Sequence, residues 1–401
     1  MSGSDVQSTS LPSSGPTGDD DVIDIRFNKI TYINGTPPLG DSPLPLTAVH
    51  YPVTLQTAEF LRQTTAVSVI QQDDCGECDI PPEDLLRAIG GLPSHPPFHP
   101  NPNDPYWAQL LEVIQVQQGR LNDADPRLFM PLPKIWDDYD IHQVAEAVHD
   151  EVREKSHGLQ KWHHKKTFCL IFQLTPFFIF FLQFPGIYHI DLMIQLMGEG
   201  MTIDRDIIPS DNRVDFVRSV VVLAELNTWA IGSVGPQNFG IKWYGGRARP
   251  EEVAFLIKTG AIPSHHVPME IRTALENMDF DTAPAFTAYP EGSPRHPSWP
   301  AMHSAASAGS MWMGVVMNLT PEQWCETKAV DYGVAYARTV AGVHFPDDNI
   351  VGLNLGQELV ARKLPGYLAA RYGSDPGAVR KKILEMRFDW ADYLTSDCFA
   401  S

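Results

Sequence analysis

The chain has 401 residues, 43% of them hydrophobic and 20% charged, enough apolar material for one large core or two modest domains. A net charge of −19 at pH 7 excludes the surplus of Lys and Arg that binding along a nucleic-acid phosphate backbone needs, so no nucleic-acid partner is expected. Cys75, Cys78, Cys169, Cys325 and Cys398 are too few and too scattered for a disulfide framework. The start, Met1-Ser2-Gly3-Ser4-Asp5-Val6, lacks the basic and apolar parts of a secretory signal, which makes a cytoplasmic location the default.

Residues 1–22 are rich in Ser, Gly, Pro and Asp and cannot bury enough apolar area to offset their ordering entropy, so a disordered tail is expected there. The alternation in Ile23-Asp24-Ile25-Arg26-Phe27-Asn28, followed by Asn34-Gly35, predicts a short hairpin or extended arm, and residues 46–70 read as a helix. Cys75-Gly76-Glu77-Cys78 sits in an acidic run with no second cysteine pair, a pattern that fits a solvent loop or local disulfide better than zinc. His95 and His99 lie in the proline-rich loop 91–105 without matching ligands and read as surface residues. Asp104-Pro105 then opens a helix running through Ile114, and residues 140–155 read as a charged amphipathic helix.

Residues 167–188 hold no Asp, Glu, Lys or Arg and seven of the nineteen phenylalanines, and Lys165-Lys166 precede them. Three readings stay open: a buried helix pair or pocket wall, a lone membrane-associated segment, or an insertion foreign to the fold spanning about 161–201. Asp211 is expected to cap a further helix running toward Trp229.

Three stretches farther on carry the chemistry. Lys242-Trp243-Tyr244-Gly245-Gly246-Arg247-Ala248-Arg249-Pro250 places six residues between Lys242 and Arg249, with Pro250 set to start a helix. His296-Pro297-Ser298-Trp299-Pro300-Ala301-Met302-His303 puts His303 at or near a helix start, ahead of a run of small residues from Ser304 to Ser310. Ala337-Arg338-Thr339-Val340-Ala341-Gly342-Val343-His344 places five residues between Arg338 and His344, and Asp348 follows four after His344. Guanidinium and ammonium groups with imidazoles suit a multiply charged oxyanion. Beyond these stretches, three helical segments are expected at 353–363, 365–372 and 375–393.

In this order and spacing, residues 240–350 resemble the signature shared by the vanadium-dependent haloperoxidases and the type 2 phosphatidic acid phosphatases: Lys-x6-Arg-Pro, Pro-Ser-x-Pro-Ser-Gly-His and Ser-Arg-x5-His-x3-Asp. The resemblance implies an all-α fold, one helical-bundle domain over residues 23–401, and a bound vanadate. Lys242, Arg249, the Met302 backbone N–H, His303 and Arg338 would cradle the anion, and His344 would bind the metal through Nε2. His303 would serve as acid/base, and Asp348 would hold the His344 tautomer, one helical turn on if helix continues from His344. His296 matches a histidine of the algal bromoperoxidases and points to bromide or iodide oxidation.

Implied partners are hydrogen peroxide, a halide and a small organic acceptor, with membrane association and a homo-oligomer left open. An acid phosphatase with His344 as nucleophile is the alternative, and a catalytically silent relative is a third. Ala301-Met302 stands where the family has Ser-Gly, which removes one hydroxyl donor at about 1.5–3 kcal/mol. If that position needs positive φ, Met302 there costs about 1 kcal/mol or more.

Overall fold

The structure, a computed structural model, describes residues 80, 82–91, 104–121, 186–209, 216–289, 293–294 and 296–400. The tail 1–22, the arm at 22–45, the helix at 46–70, Cys75, Cys78, Cys169, His95, His99, the helix at 140–155, Asp211 and residues 161–185 of the candidate insertion lie outside the described residues.

Among the described residues the fold is all-α. The helices are α1 (Pro82–Ala88), α2 (Pro105–Leu121), α3 (Gly186–Gly198), α4 (Phe216–Gly245), α5 (Pro250–Lys258), α6 (Met269–Glu276), α7 (Ala283–Phe286), α8 (Met302–Ala306), α9 (Gly309–Val316), α10 (Pro321–Val340), α11 (Pro346–Tyr372), α12 (Pro376–Met386) and α13 (Asp397–Ala400). Among these residues no strand forms, and extended backbone pairs in one isolated antiparallel bridge, Ile203 to Met317.

Local sequence explains many of the ends. Asp104 accepts the Tyr106 N–H at 2.9 Å and starts α2, which runs to Leu121, past the expected end at Ile114, because Val113, Ile114 and Val116 are all buried. Thr320 and Gln323 form a reciprocal capping box on α10 (3.1 and 3.2 Å), and Gly373, with φ of 70°, ends α11 in the left-handed region.

Two expected helices, 353–363 and 365–372, are one. Pro365 lies inside α11, where it removes a single backbone bond, and the helix continues because Leu364, Pro365 and Leu368 are all buried. The segment 375–393 instead divides into α12 and a 3-10 turn, Trp390–Thr395, after an extended Arg387 and a local cap of Asp389 on Ala391 N–H.

Helix α4 packs against α3, α8 and α11. Its buried Leu223, Leu226, Trp229, Val234 and Ile241 share one core with Leu192, Met193 and Leu196 of α3 and Leu355, Leu359 and Leu364 of α11. So α3, inside the stretch considered as an insertion, contributes to this core. His189 on α3 lies 2.5 Å from Asp331 of α10, whose carboxylate also accepts the Gly309 and Ser310 N–H groups at the start of α9. A second core joins α2 to α5, α6 and α7, and a third, rich in tyrosine, surrounds α10.

Among the described residues no helix is long and apolar enough to cross a membrane. A disulfide, Cys325–Cys398, ties the start of α10 to α13, a pairing across 73 residues that local spacing does not signal.

Short α8 is pressed into α11 at two glycines four residues apart on one face. A Cβ on Gly352 would sit 2.6 Å from the Ala301 carbonyl oxygen, and one on Gly356 would sit 2.0 Å from that of Ala305. Backbone cannot yield as a flexible side chain can, so Gly356→Ala is expected to destabilise the protein by about 3 kcal/mol or more, read as a lower urea midpoint.

Candidate active site

The first motif straddles the end of α4. Lys242 lies in its last turn, Gly246 turns the chain with φ of 62°, and Arg247-Ala248-Arg249 leaves before Pro250 begins α5, with Arg249 extended at φ −84° and ψ 156°. In extended backbone, alternate residues face the same way, so Arg247 and Arg249 share a side. Both are buried.

Arg249 holds the other two motifs together. Its Nε donates to the His296 carbonyl at 2.9 Å and Nη1 to the Val343 carbonyl at 2.8 Å, while Nη1 lies 3.4 Å from His344 Nε2 and Nη2 lies 3.1 Å from His296 Nδ1. A guanidinium only donates, so His344 Nε2 is the acceptor of that pair, which assigns its tautomer; His296 Nδ1 lies between the Arg249 guanidinium and the Pro297 carbonyl, 3.2 Å away. Lys242 Nζ donates to the Pro297 and Ser298 carbonyls at 2.9 and 2.6 Å. The third N–H of that ammonium has no bond among the described residues.

His344 occupies the turn between α10 and α11, where Gly342 at φ 77° reverses the chain and Thr339 Oγ1 donates to the His344 carbonyl at 3.2 Å. Its Nδ1 lies 3.2 Å from Asp348 Oδ2 and 3.3 Å from Ser298 Oγ. Asp348 thus lies against the imidazole, although helix does not continue from His344 to it. Helix α11 begins at Pro346, and Asp348, in its first turn, reaches back to accept the Phe345 N–H at 3.0 Å. Ser298 Oγ donates to the same Oδ2, and Asp348 Oδ1 accepts from Arg247 Nη1 at 2.7 Å.

Arg338, in the last turn of α10, donates to the Tyr289 hydroxyl and lies 5.2 Å from that ring's centre. His303 is the second residue of α8, and the Ala301 N–H bonds the Asp348 carbonyl at 2.9 Å, which ties α8 to the start of α11.

The condition for strain at Met302, a positive φ, is not met. The residue takes helical backbone at the start of α8, after an extended Ala301, and its methyl packs toward Gly235 of α4, 3.3 Å from where a Cβ on that glycine would lie. The absence of a side chain at Gly235 thus leaves room for Met302 across the α4–α8 contact.

These positions form one electrostatic unit within a strongly acidic chain. Burial, reinforced by the charges of Arg249, Lys242, Arg338 and His303, holds the His344 imidazole well below the ordinary histidine range. His296 is lowered the same way, by burial and then by Arg249 and Lys242. Lys242 is held well below the lysine range, by burial first and Arg249 next. Arg249 falls to about 10, chiefly through burial, with Glu251 opposing and Arg338 adding to the fall. Burial is the larger cause of each shift and the neighbouring positive charges add to it; an anion among these groups would oppose the part that comes from charge.

The structure therefore brings Lys242, Arg249, His296, Arg338, His344 and Asp348 together, with His303 near enough to act on His344. Reading the sequence missed Arg247, Asp347, Ser298 and Tyr289. Ser298 occupies a fixed place in the second motif and could have been weighed there. Arg247 is hidden inside the six-residue gap, and Tyr289 carries no local signal.

Residues 222–361 match the family described as PAP2 superfamily. This segment is a PAP2 superfamily domain. It begins in α4, ends in α11, and contains every residue of the site just described. No curated protein matches the chain. Members of the superfamily are generally enzymes, phosphatases or haloperoxidases, and the PAP2 domain fits activity of that kind.

Within the PAP2 domain, Ser298→Ala removes a hydroxyl that donates to a buried carboxylate. The expected loss is about 1.5–3 kcal/mol of stability, measured by chemical denaturation.

Proposed function

We propose that the PAP2 domain binds vanadate and uses it to oxidise bromide or iodide with hydrogen peroxide, halogenating small organic acceptors. The donor set fits that anion: Arg249, Arg338 and Lys242 supply positive charge and N–H donors, and His344 offers an unprotonated Nε2. Those four residues, with the backbone N–H groups at the start of α8, would hold the group. When bound, vanadate supplies a Lewis-acidic centre that activates peroxide toward halide.

What the chain itself does is orient and move protons. Asp348 keeps the proton of His344 on Nδ1, so Nε2 presents its lone pair. Lys242 is fixed by two carbonyls, with a donor left for the guest. His303 is the acid/base at the mouth of α8. The observation that carries the peroxidase reading is His296, whose imidazole meets Arg249 Nη2 at 3.1 Å, where it could help bind incoming peroxide and shape halide choice.

The same Asp348–His344 pair would equally support His344 as the nucleophile of an acid phosphatase, which is the second reading. Ala301, which has no hydroxyl, is what favours a silent relative. An assay of the full chain with peroxide, bromide and a bromination-indicator dye, with and without added vanadate, tests the proposal. Bromination that depends on vanadate supports it. Hydrolysis of a phosphate ester, inhibited by vanadate, would favour the phosphatase, and neither activity would leave the silent relative.

A further inference from the structure

Arg247 belongs to none of the three spaced patterns, yet it touches all of them. It lies between Lys242 and Arg249 in the first. Its carbonyl accepts the Ser298 N–H of the second at 2.9 Å. Its Nη1 donates to Asp348 Oδ1 of the third, and to Asp347 Oδ1 beside it, both at 2.7 Å. The guanidinium carbon lies 4.3 Å from the centre of the Phe345 ring and 5.2 Å from that of Tyr106. Arg247 and Asp348 are both buried, at 1% and 0% exposure, so these bonds act with little solvent screening.

The two oxygens of Asp348 have separate duties. Oδ2 takes the Phe345 N–H and the Ser298 hydroxyl and faces His344 Nδ1, while Oδ1 takes Arg247. The carboxylate torsion of aspartate is broad, so Arg247 on Oδ1, together with the two donors on Oδ2, sets the plane in which Oδ2 meets the imidazole. Arg247 also keeps adjacent Asp347 from repelling Asp348, because one Nη1 bridges them. Arg249, two residues on and facing the same way, meets the opposite nitrogen of the ring.

We infer that Arg247 is a positioning residue: by holding Asp348 it fixes His344 as the Nδ1–H tautomer and so leaves Nε2 unprotonated toward Arg249. It acts through Asp348, not on the guest. The use to which Nε2 is put rests on the function proposed above; the tautomer does not.

The test uses the full chain labelled with 15N-histidine and free of added anion, with His344 assigned by its disappearance in His344→Ala. Long-range 1H–15N correlation is expected to show Nδ1 protonated and Nε2 bare in the wild type. Arg247→Gln is expected to mix the tautomers and to weaken vanadate binding, followed by equilibrium dialysis, by about 10–100-fold. Arg247→Lys can still place a cation between the two carboxylates and should keep both within about threefold of wild type.

A merely structural arginine would lower the melting temperature of Arg247→Gln and leave the His344 signals and relative affinity unmoved, which overturns the inference. Should the glutamine variant fail to fold, the lysine variant decides: retention of the Nδ1–H tautomer supports the inference, and its loss in a folded lysine variant overturns it. A wild type that binds no vanadate would sink the proposed function, while the tautomer comparison would still stand, so the two failures are distinguishable.

Discussion

His344→Ala is expected to abolish vanadate-dependent bromination and to weaken vanadate binding by at least about 10²–10³-fold, the scale on which an active site loses function when one preorganised partner of its charged group is removed. The reason is particular to this imidazole. Its Nδ1 is tied to Asp348 and its Nε2 lies 3.4 Å from Arg249 Nη1, inside the same group of cations as Lys242 and Arg338. His296 also meets Arg249, but through Nδ1 and from the neighbouring motif, so it cannot take over the position.

The fold should survive the change. Asp348 keeps Arg247, Ser298 and the Phe345 N–H, so no buried carboxylate is stranded. Equilibrium dialysis with vanadate, beside a denaturation curve for each protein, separates the two effects. A variant that folds normally and binds vanadate within about threefold of wild type would remove His344 from the site. If the chain is instead a phosphatase, the same substitution should eliminate ester hydrolysis to a similar extent.

Stability of the anion-free protein is expected to fall as the pH drops below about 6.5, and vanadate or phosphate should oppose the fall. In the unfolded chain His344 titrates near 6.5; in the folded protein it is held well below that value. Between those two values the unfolded state binds a proton that the native state does not. Stability then rises with pH, by up to about 1.4 kcal/mol per pH unit for one imidazole. The stabilising difference is fully present above the unfolded value and is lost as the pH falls toward the folded one. His296 is lowered for the same cause and adds in the same direction.

An anion among Lys242, Arg249 and Arg338 removes part of that penalty, and at about a hundred times its dissociation constant adds about 2.7 kcal/mol. Thermal melts from pH 8 to pH 5, with and without each oxyanion, measure both terms. Curves in which the anion has no effect at any pH would count against an oxyanion site. Curves with no downward slope on acidification in the wild type, or an unchanged slope in His344→Ala, would count against the buried neutral imidazole.

Much of the helical order is legible in short stretches of the chain. Proline at the start of a helix, Asp104 before α2, and the run of small residues around α8 are local signals, because caps and close packing act over a few residues. Where the expectation fails, a longer-range contact prevails. Pro365 predicts a break between two helices, but buried neighbours carry α11 through it. Strain at Met302 would follow only from a positive φ, but the residue is helical, and Gly235, 67 positions earlier in the chain, makes room for its side chain. His344 and Asp348 would lie one turn apart if helix continued between them; instead Asp348 reaches back from a new helix.

Residue type and spacing alone establish the identity of the cationic and imidazole groups, since they state which charges exist and how far apart they lie along the chain, whereas the all-α character is what the family resemblance carried by those spacings implies. Which of those charges share a pocket, and what orients them, follows from the folded chain and from nothing simpler. Arg247, Asp347 and Tyr289 do their work across separations of 49 to 101 residues. Hydrogen bonds and desolvation depend on distance through space and on exclusion of water, and neither quantity is written in the order of residues.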